Sequence, residues 1–276
     1  MIAARWSGCQ DGAMADEGAG PVRYERDGHV VTITYDRSER RNAIDGDMRR
    51  AINAAWDRFR TDDEAWVAIV TGAGTAFCAG ADMRSTTGNP AGDFPGSFWE
   101  RPTVNSLESG WEIFKPIIAA VNGPAVGYGV TLLTWCDFVI AAEDATFSFP
   151  EARIGVPTIV GALRLPGMIN RQYAMELLLT GETIDAARAH EIGLAGWVVP
   201  PADLMTEARA LAGRLTAGAP LAQRAIKEMA VRGPEMGSVE AIRFGETLRR
   251  VAGATEDAAE GAAAAREKRS PRWRAR

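Results

Sequence analysis

Two glycine-rich turns are the parts of this chain whose spacing could do chemistry. Gly72-Ala73-Gly74 through Gly80-Ala81-Asp82 follows the apolar run Trp66–Val70, and Gly123-Pro124 through Gly127-Tyr128-Gly129 follows Pro116–Val121. Glycine lets a backbone N–H come close to a ligand, and a helix starting at such a turn adds the positive end of its dipole. Two such N–H groups aimed at one oxygen form an oxyanion hole, where one donor is worth about 3–4 kcal/mol. The plainer reading is a pair of tight strand-to-helix turns. Neither turn fits a nucleotide fingerprint. Phe77 stands where GxGxxG needs its last glycine, and no GxxxxGK[ST] occurs. Cys78 has no nearby histidine to activate it and reads as a small packing residue. His29 in a hairpin and His190 on a helix read as structural. Glu151, in Pro150-Glu151-Ala152-Arg153, is by itself a solvated or helix-end charge.

The elements that must position these turns follow from periodicity. Val22–Tyr24 and His29–Tyr35 flank Asp27-Gly28, a hairpin signal. Asp45 can cap a helix that puts Met48, Ile52, Ala55, Trp56 and Phe59 on one face. Trp66–Val70, Pro116–Val121, Phe138–Ala141 and Trp197–Val199 read as strands. Gly127-Tyr128-Gly129 opens a helix, and further helices are expected near 171–180, 185–192, 203–217, 221–231, 238–251 and 256–268. Residues 152–170 read as a Gly/Pro-rich stretch, and 83–106, with Phe94, Phe98 and Trp99, as a long loop. Strands alternating with helices up to about residue 200 imply an α/β fold with largely parallel pairing. The expected organisation is a flexible tail over 1–20, a core over 21–200 and a helical region over 201–276.

Composition narrows the function classes. The 276 residues are 46% hydrophobic and 24% charged, ordinary for a globular chain with a sizeable core. Lys and Arg number 31 against 36 Asp and Glu, so a net charge of −5 provides no global field for nucleic acid. Three cysteines without a CxxC pair argue against a disulfide framework or a cysteine-rich metal site. No apolar run is long enough for a membrane span. The first twenty residues lack the apolar core of a signal peptide. A cytoplasmic protein with reduced cysteines is expected. The basic end, Arg266 to Arg276, reads as a solvated tail.

These residues also match a family. Gly74-Thr75-Ala76-Phe77-Cys78-Ala79-Gly80-Ala81-Asp82 resembles the first signature of the crotonase (enoyl-CoA hydratase/isomerase) superfamily, and Ile118 through Gly129 resembles the second. Arg40-Arg41-Asn42-Ala43 is similar to its early basic element, and Phe147 through Gly155 to its Pro-Glu block. Leu179-Thr180-Gly181-Glu182-Thr183, and Glu267-Lys268-Arg269 with Pro271, resemble later blocks in the same order. The resemblance implies a crotonase-like ββα spiral core and a C-terminal helical region that packs on neighbouring subunits, giving a homotrimer or hexamer. It implies a CoA thioester substrate, with no further cofactor and no metal. Carried over, the N–H groups of Ala81 and Tyr128 hold the thioester oxygen and stabilise an enolate, while Glu151 moves a proton. Arg41, Ala43, Ala79, Asp82 and Thr131 fall on the family's substrate and CoA positions. Arg41 has a solvated reading beside a phosphate-binding one, as do Lys227 and Lys268. Asp82 also reads as ordering its own turn.

The match breaks at two places. The second donor is usually glycine in the family and is Tyr128 here, for which a negative φ is expected. The family's earlier carboxylate falls on Thr131, and a hydroxyl is no base near neutral pH. A single Glu suffices for a 1,3 proton shift, so isomerase chemistry is favoured. A hydratase or dehydratase resembling carnitinyl-CoA dehydratase would need a second acid, from Asp93, Glu100 or Glu108. A non-catalytic CoA-thioester binder is the third reading.

Overall fold

The structure, a computed structural model, describes residues 20–85, 106–107 and 110–276. The tail up to residue 19 and Asp93, Phe94, Phe98, Trp99, Glu100 and Glu108 lie outside the described residues.

Nine strands are described: β1 (Val22–Asp27), β2 (Val30–Tyr35), β3 (Val67–Gly72), β4 (Ile117–Val121), β5 (Ala125–Val126), β6 (Phe138–Ala142), β7 (Thr146–Ser148), β8 (Ile184–Asp185) and β9 (Trp197–Val199). β1 and β2 form the expected hairpin, with Asp27 opposite Val30 and Gly28 at φ +56°. From β2 onward every neighbour in the six-stranded sheet β1-β2-β3-β4-β6-β9 is parallel. A small sheet, β5-β7-β8, stands apart from it.

Helix α1 (Gly46–Thr61) carries the chain from β2 to β3. The Asp45 carboxylate accepts the Met48 N–H at 2.8 Å, and the buried stripe is Met48, Ile52, Ala55, Trp56 and Phe59, as the spacing predicts. β3 and β4 are buried along their whole length, which explains their unbroken apolar runs. Their side chains alternate between two cores. Ala68, Val70, Ile117, Ala119 and Val121 pack with α1, while Val67, Ile69, Ile118 and Ala120 pack with Leu204, Ala208 and Leu211 of α6 (Leu204–Thr216).

The core on the α1 side is completed by α2 (Tyr128–Leu133), α3 (Val160–Met168), α4 (Arg171–Thr180) and α5 (Ala186–Glu191). Helix α3 corrects the reading of 152–170 as an irregular stretch. Gly161 and Leu165 are buried, and this packing offsets the cost of Pro166 inside the helix. Three helices, α7 (Pro220–Arg232), α8 (Ser238–Gly253) and α9 (Glu256–Glu267), complete the described chain. Among the described residues no helix is long and apolar enough to cross a membrane.

The basic end keeps its Lys and Arg residues exposed, as a solvated end does, but its backbone is tied down. It folds back over α9, where the buried Asp257 carboxylate accepts the N–H groups of Arg274 at 2.7 Å and Ala275 at 2.9 Å. Arg269 pairs with Glu260 through both guanidinium ends, and the Trp273 indole donates to the Ala217 carbonyl at 2.8 Å. The charge pattern alone does not show this tie, because its partners are Asp257 and Glu260 on α9 and the Ala217 carbonyl just past α6. Asp257→Asn exchanges one acceptor for a donor facing an N–H. We expect a loss of about 1–3 kcal/mol in urea unfolding and faster exopeptidase trimming of the end.

Candidate active site

The first glycine-rich turn becomes a strip, residues 77–82, held between two neighbouring segments. On one side Cys78 N donates to Pro124 O at 3.1 Å and Val126 N to Cys78 O at 2.8 Å. The strip then crosses to the other side, where Ala79 N donates to Arg41 O, Ile44 N to Gly80 O and Asp82 N to Ile44 O. Extended chain alternates its N–H directions, so with Gly80 and Asp82 bonded to Ile44 the Ala81 N–H faces away from Ile44. The strip packs against residues 126–128 so closely that a Cβ on Gly80 would lie 2.9 Å from Val126 O and 3.8 Å from Tyr128 N.

Tyr128 opens α2, and first-turn N–H groups project from the N-terminal end of a helix. Its φ is helical and negative, as expected. Gly127 before it absorbs the strain, at φ +53° and ψ −108°. The Tyr128 ring packs on the α1 side, with the Arg49 guanidinium 5.8 Å from its centroid. The side chain that replaces glycine is thereby accommodated against α1.

Glu151 lies on a 3-10 turn, Pro150–Ile154, that follows the fully buried Phe149. A Cβ on Gly127 would sit 2.6 Å from Glu151 Oε1, so a larger residue would push the carboxylate from its place against the peptide that precedes Tyr128, and the positive φ disfavours one in any case. Glu151 Oε2 is buried and has no hydrogen-bond partner among the described residues. Burial pushes the carboxyl group up from its ordinary value of 4.5, because the charged form loses water. Beside it opens a cavity of about 410 Å³ whose walls include Val156, Pro157, Met175, Leu178 and Leu179.

Thr131 lies one turn along α2 and is 4% exposed. Helix α3 closes over it. A Cβ on Gly161 would meet the Phe149 ring at 2.6 Å and the Thr131 hydroxyl at 3.1 Å.

Ala79, Ala81, Tyr128 and Glu151 are thus brought together, with Arg41, Ala43 and Asp82 along the outer edge of the strip. The Arg41 residue is exposed at φ +52°. Asp82 orders its own turn by accepting the Arg84 N–H at 3.0 Å, and also pairs with Arg37 at 2.9 Å. Backbone and guanidinium bonds hold its carboxyl below the ordinary value. Lys227 is engaged by Asp137 at 2.7 Å and by the Lys115 carbonyl. Cys78 is fully buried and its thiol is pushed up to about 12 by burial, as befits a packing residue. His29 stacks on Trp66, and His190 meets the Ala195 carbonyl.

Sequence reasoning quoted Asn42 and gave it no role. It is fully buried, accepts the Arg37 N–H, and donates to the carbonyls of Ala73, Ala76 and Phe77. An Asn at the end of a charged run is its only local signal, since the carbonyls it donates to lie more than thirty residues away.

Residues 25–276 match the family model described as enoyl-CoA hydratase/isomerase. The chain is similar to enoyl-CoA hydratase EchA19 of Mycobacterium tuberculosis, 38% identical over 95% of this chain and 100% of the relative. It is also similar to carnitinyl-CoA dehydratase of Salmonella typhi, 39% identical over 91% of this chain and 97% of the relative. A crystal structure of an enoyl-CoA hydratase from Mycobacterium tuberculosis superposes with a TM-score of 0.84 at 33% identity, covering 94% of this chain and 100% of that one. The crotonase fold expected from the sequence is therefore the fold of the chain.

The raised Glu151 carboxyl has a consequence for stability. Ionising it costs more in the folded chain than in the unfolded one, so stability falls as pH rises from 4.5 through the raised folded value. Glu151→Gln removes that cost, and its urea midpoint should exceed that of the unsubstituted chain at pH 7 but not at pH 4. Gly127→Ala, which meets both a positive φ and the carboxylate, should lower the unfolding free energy measured in urea by about 1–3 kcal/mol.

Proposed function

The chain belongs to the enoyl-CoA hydratase/isomerase family, and from that premise we propose that it shifts the double bond of an enoyl-CoA thioester, with Glu151 as the single base. The Ala81 and Tyr128 N–H groups hold the thioester oxygen. Polarisation of that carbonyl acidifies the proton on the adjacent carbon. Glu151 takes this proton from a 3-enoyl thioester, the dienolate places its negative charge on the held oxygen, and Glu151 returns the proton to the far carbon. The product is the 2-enoyl isomer, and no atoms are gained or lost. CoA is part of the substrate.

One observation carries the reading: a buried carboxylate oxygen without a hydrogen-bond partner among the described residues lies beside the peptide that precedes a helix-opening N–H. A carboxyl group raised by burial is a better base than a solvated one when it must take a proton from carbon. Thr131 supports the one-base scheme, since it offers a hydroxyl beneath α3 where a water-holding carboxylate would be needed.

A second reading, hydration or dehydration of the enoyl thioester, is favoured by the names of the relatives, which include an enoyl-CoA hydratase and a carnitinyl-CoA dehydratase. It requires a second acid from outside the described site. We further read the chain as forming a homotrimer or a hexamer. The exposed apolar residues Ile226, Ile242 and Val251 on α7 and α8 support contact with a second copy.

The test pairs two substrates. A 3-enoyl-CoA should convert to an isomer of equal mass, and a 2-enoyl-CoA should gain no water. Gain of 18 mass units (about, for one water) from the 2-enoyl substrate would select the hydratase reading. Glu151→Gln should lower turnover and solvent exchange of the α-proton by about 10²–10⁴-fold. A chain that binds thioester without exchanging that proton would be the non-catalytic binder.

A further inference from the structure

The strip that carries Ala81 is fastened at its outer edge by one side chain. Arg37 Nη2 pairs with Asp45 at 2.9 Å, and Nη1 pairs with Asp82 at 2.9 Å while donating to the Ala43 carbonyl at 2.9 Å. Its own N–H is held by Asn42 Oδ1 at 2.9 Å. The side chain is 20% exposed, and those of Asp45 and Asp82 are 23% and 10% exposed. Asp45 caps α1, and Asp82 directly follows Ala81. A single planar guanidinium therefore ties the start of α1, the 41–44 segment and the residue after Ala81 into one body.

We propose that Arg37 is a positioning residue that aims the Ala81 N–H by bridging Asp45 and Asp82. The proposal rests on the reading of that N–H as a donor to the thioester oxygen. Asp82 is held in three ways. Its N–H is bonded to Ile44, its Oδ1 accepts the Arg84 N–H, and its Oδ2 is pulled towards Arg37. Without the guanidinium, Asp45 and Asp82 face one another's charge and the pull on Oδ2 is lost, while the Arg84 bond only orders the turn that follows. The Ile44 bond remains, so the strip should shift rather than unfold. A misplacement of about 1 Å from a change far from the reacting atoms can cost about 10²-fold in rate, similar to the loss of one oxyanion donor. Lysine cannot replace this group fully, because a point charge does not make two directed pairs at once.

The experiment uses the full chain with a chromophoric thioester, 3-phenylpropenoyl-CoA, and reads the red shift of its absorption when the carbonyl is polarised on binding. Turnover of a 3-enoyl-CoA is measured alongside. Arg37→Met should lower kcat by about 10–100-fold with KM changed less than about threefold, and should lose most of the red shift while still binding the probe. Arg37→Lys should fall between the two in both readouts, which keeps the test valid if the methionine variant folds poorly. In a double-mutant cycle, Asp82→Asn should add little to Arg37→Met, because both remove the same bridge. A full red shift and unchanged kcat in both Arg37 variants, or a loss confined to KM and thermal stability, would overturn the proposal. No red shift in the unsubstituted chain would overturn the oxyanion reading itself and this inference with it.

Discussion

Two backbone segments in this chain approach one another more closely than side chains allow, and a carboxylate closes on the second of them. Residues 77–82 lie against 124–128, and the peptide before Tyr128 lies against Glu151. A Cβ on Gly129 would come within 2.7 Å of Cys78 O, one on Gly80 within 2.9 Å of Val126 O, and one on Gly127 within 2.6 Å of Glu151 Oε1. This contact gives the cluster its geometry, since the peptide N–H groups can share a small space with a carboxylate only if the intervening residues lack side chains. Some of the 29 glycines of the sequence find their explanation here.

The contact is possible because the segments hang from the carboxyl ends of neighbouring strands. β3 leads to residues 73–82 and β4 leads to 122–128, and the two strands pair in parallel with Ile69 opposite Ile118. Parallel strands buried on both faces form a stiff support, and their ends bring together turns that are far apart in sequence. Asn42 then ties the 36–44 segment to the carbonyls of the first turn, and Asn122 donates its side-chain N–H to Gly74 O. Directional bonds from these amides hold the loops where apolar packing alone would leave them free to slide.

Within that frame the chemistry depends on one unmet need. Glu151 is half-buried, and its buried Oε2 receives no compensating bond from the described residues. Such a group is unstable as an anion and reactive towards protons, which is the condition a carbon acid demands of its base. Polar groups elsewhere in the same region are well satisfied, as Asp82 and Asp45 are through Arg37. The contrast between a satisfied clamp and an unsatisfied carboxylate separates the residues that hold the site from the one proposed to act in it.

Much of this was legible in the residues alone. The stripe of α1, the hairpin at Gly28, the buried strands and the order of the glycine-rich turns follow from local spacing, because helix and strand periods are properties of short stretches of chain. The family signatures add Ala81, Tyr128 and Glu151 as candidates for the same reason: each sits in a short, recognisable run. Helix α3, the clasp of the basic end over α9, the clamp by Asn42 and the bridge by Arg37 were not legible. Arg37 and Asp82 are 45 residues apart, and Asn42 and Ala76 are 34 apart. A charge or amide in a polar run looks the same whether it faces water or a partner brought from far away by the sheet. The sequence by itself determined which groups could do chemistry and the elements that carry them. Tertiary structure decided which of those groups lose their water and which gain a partner, because both depend on contacts that close only when the strands have paired.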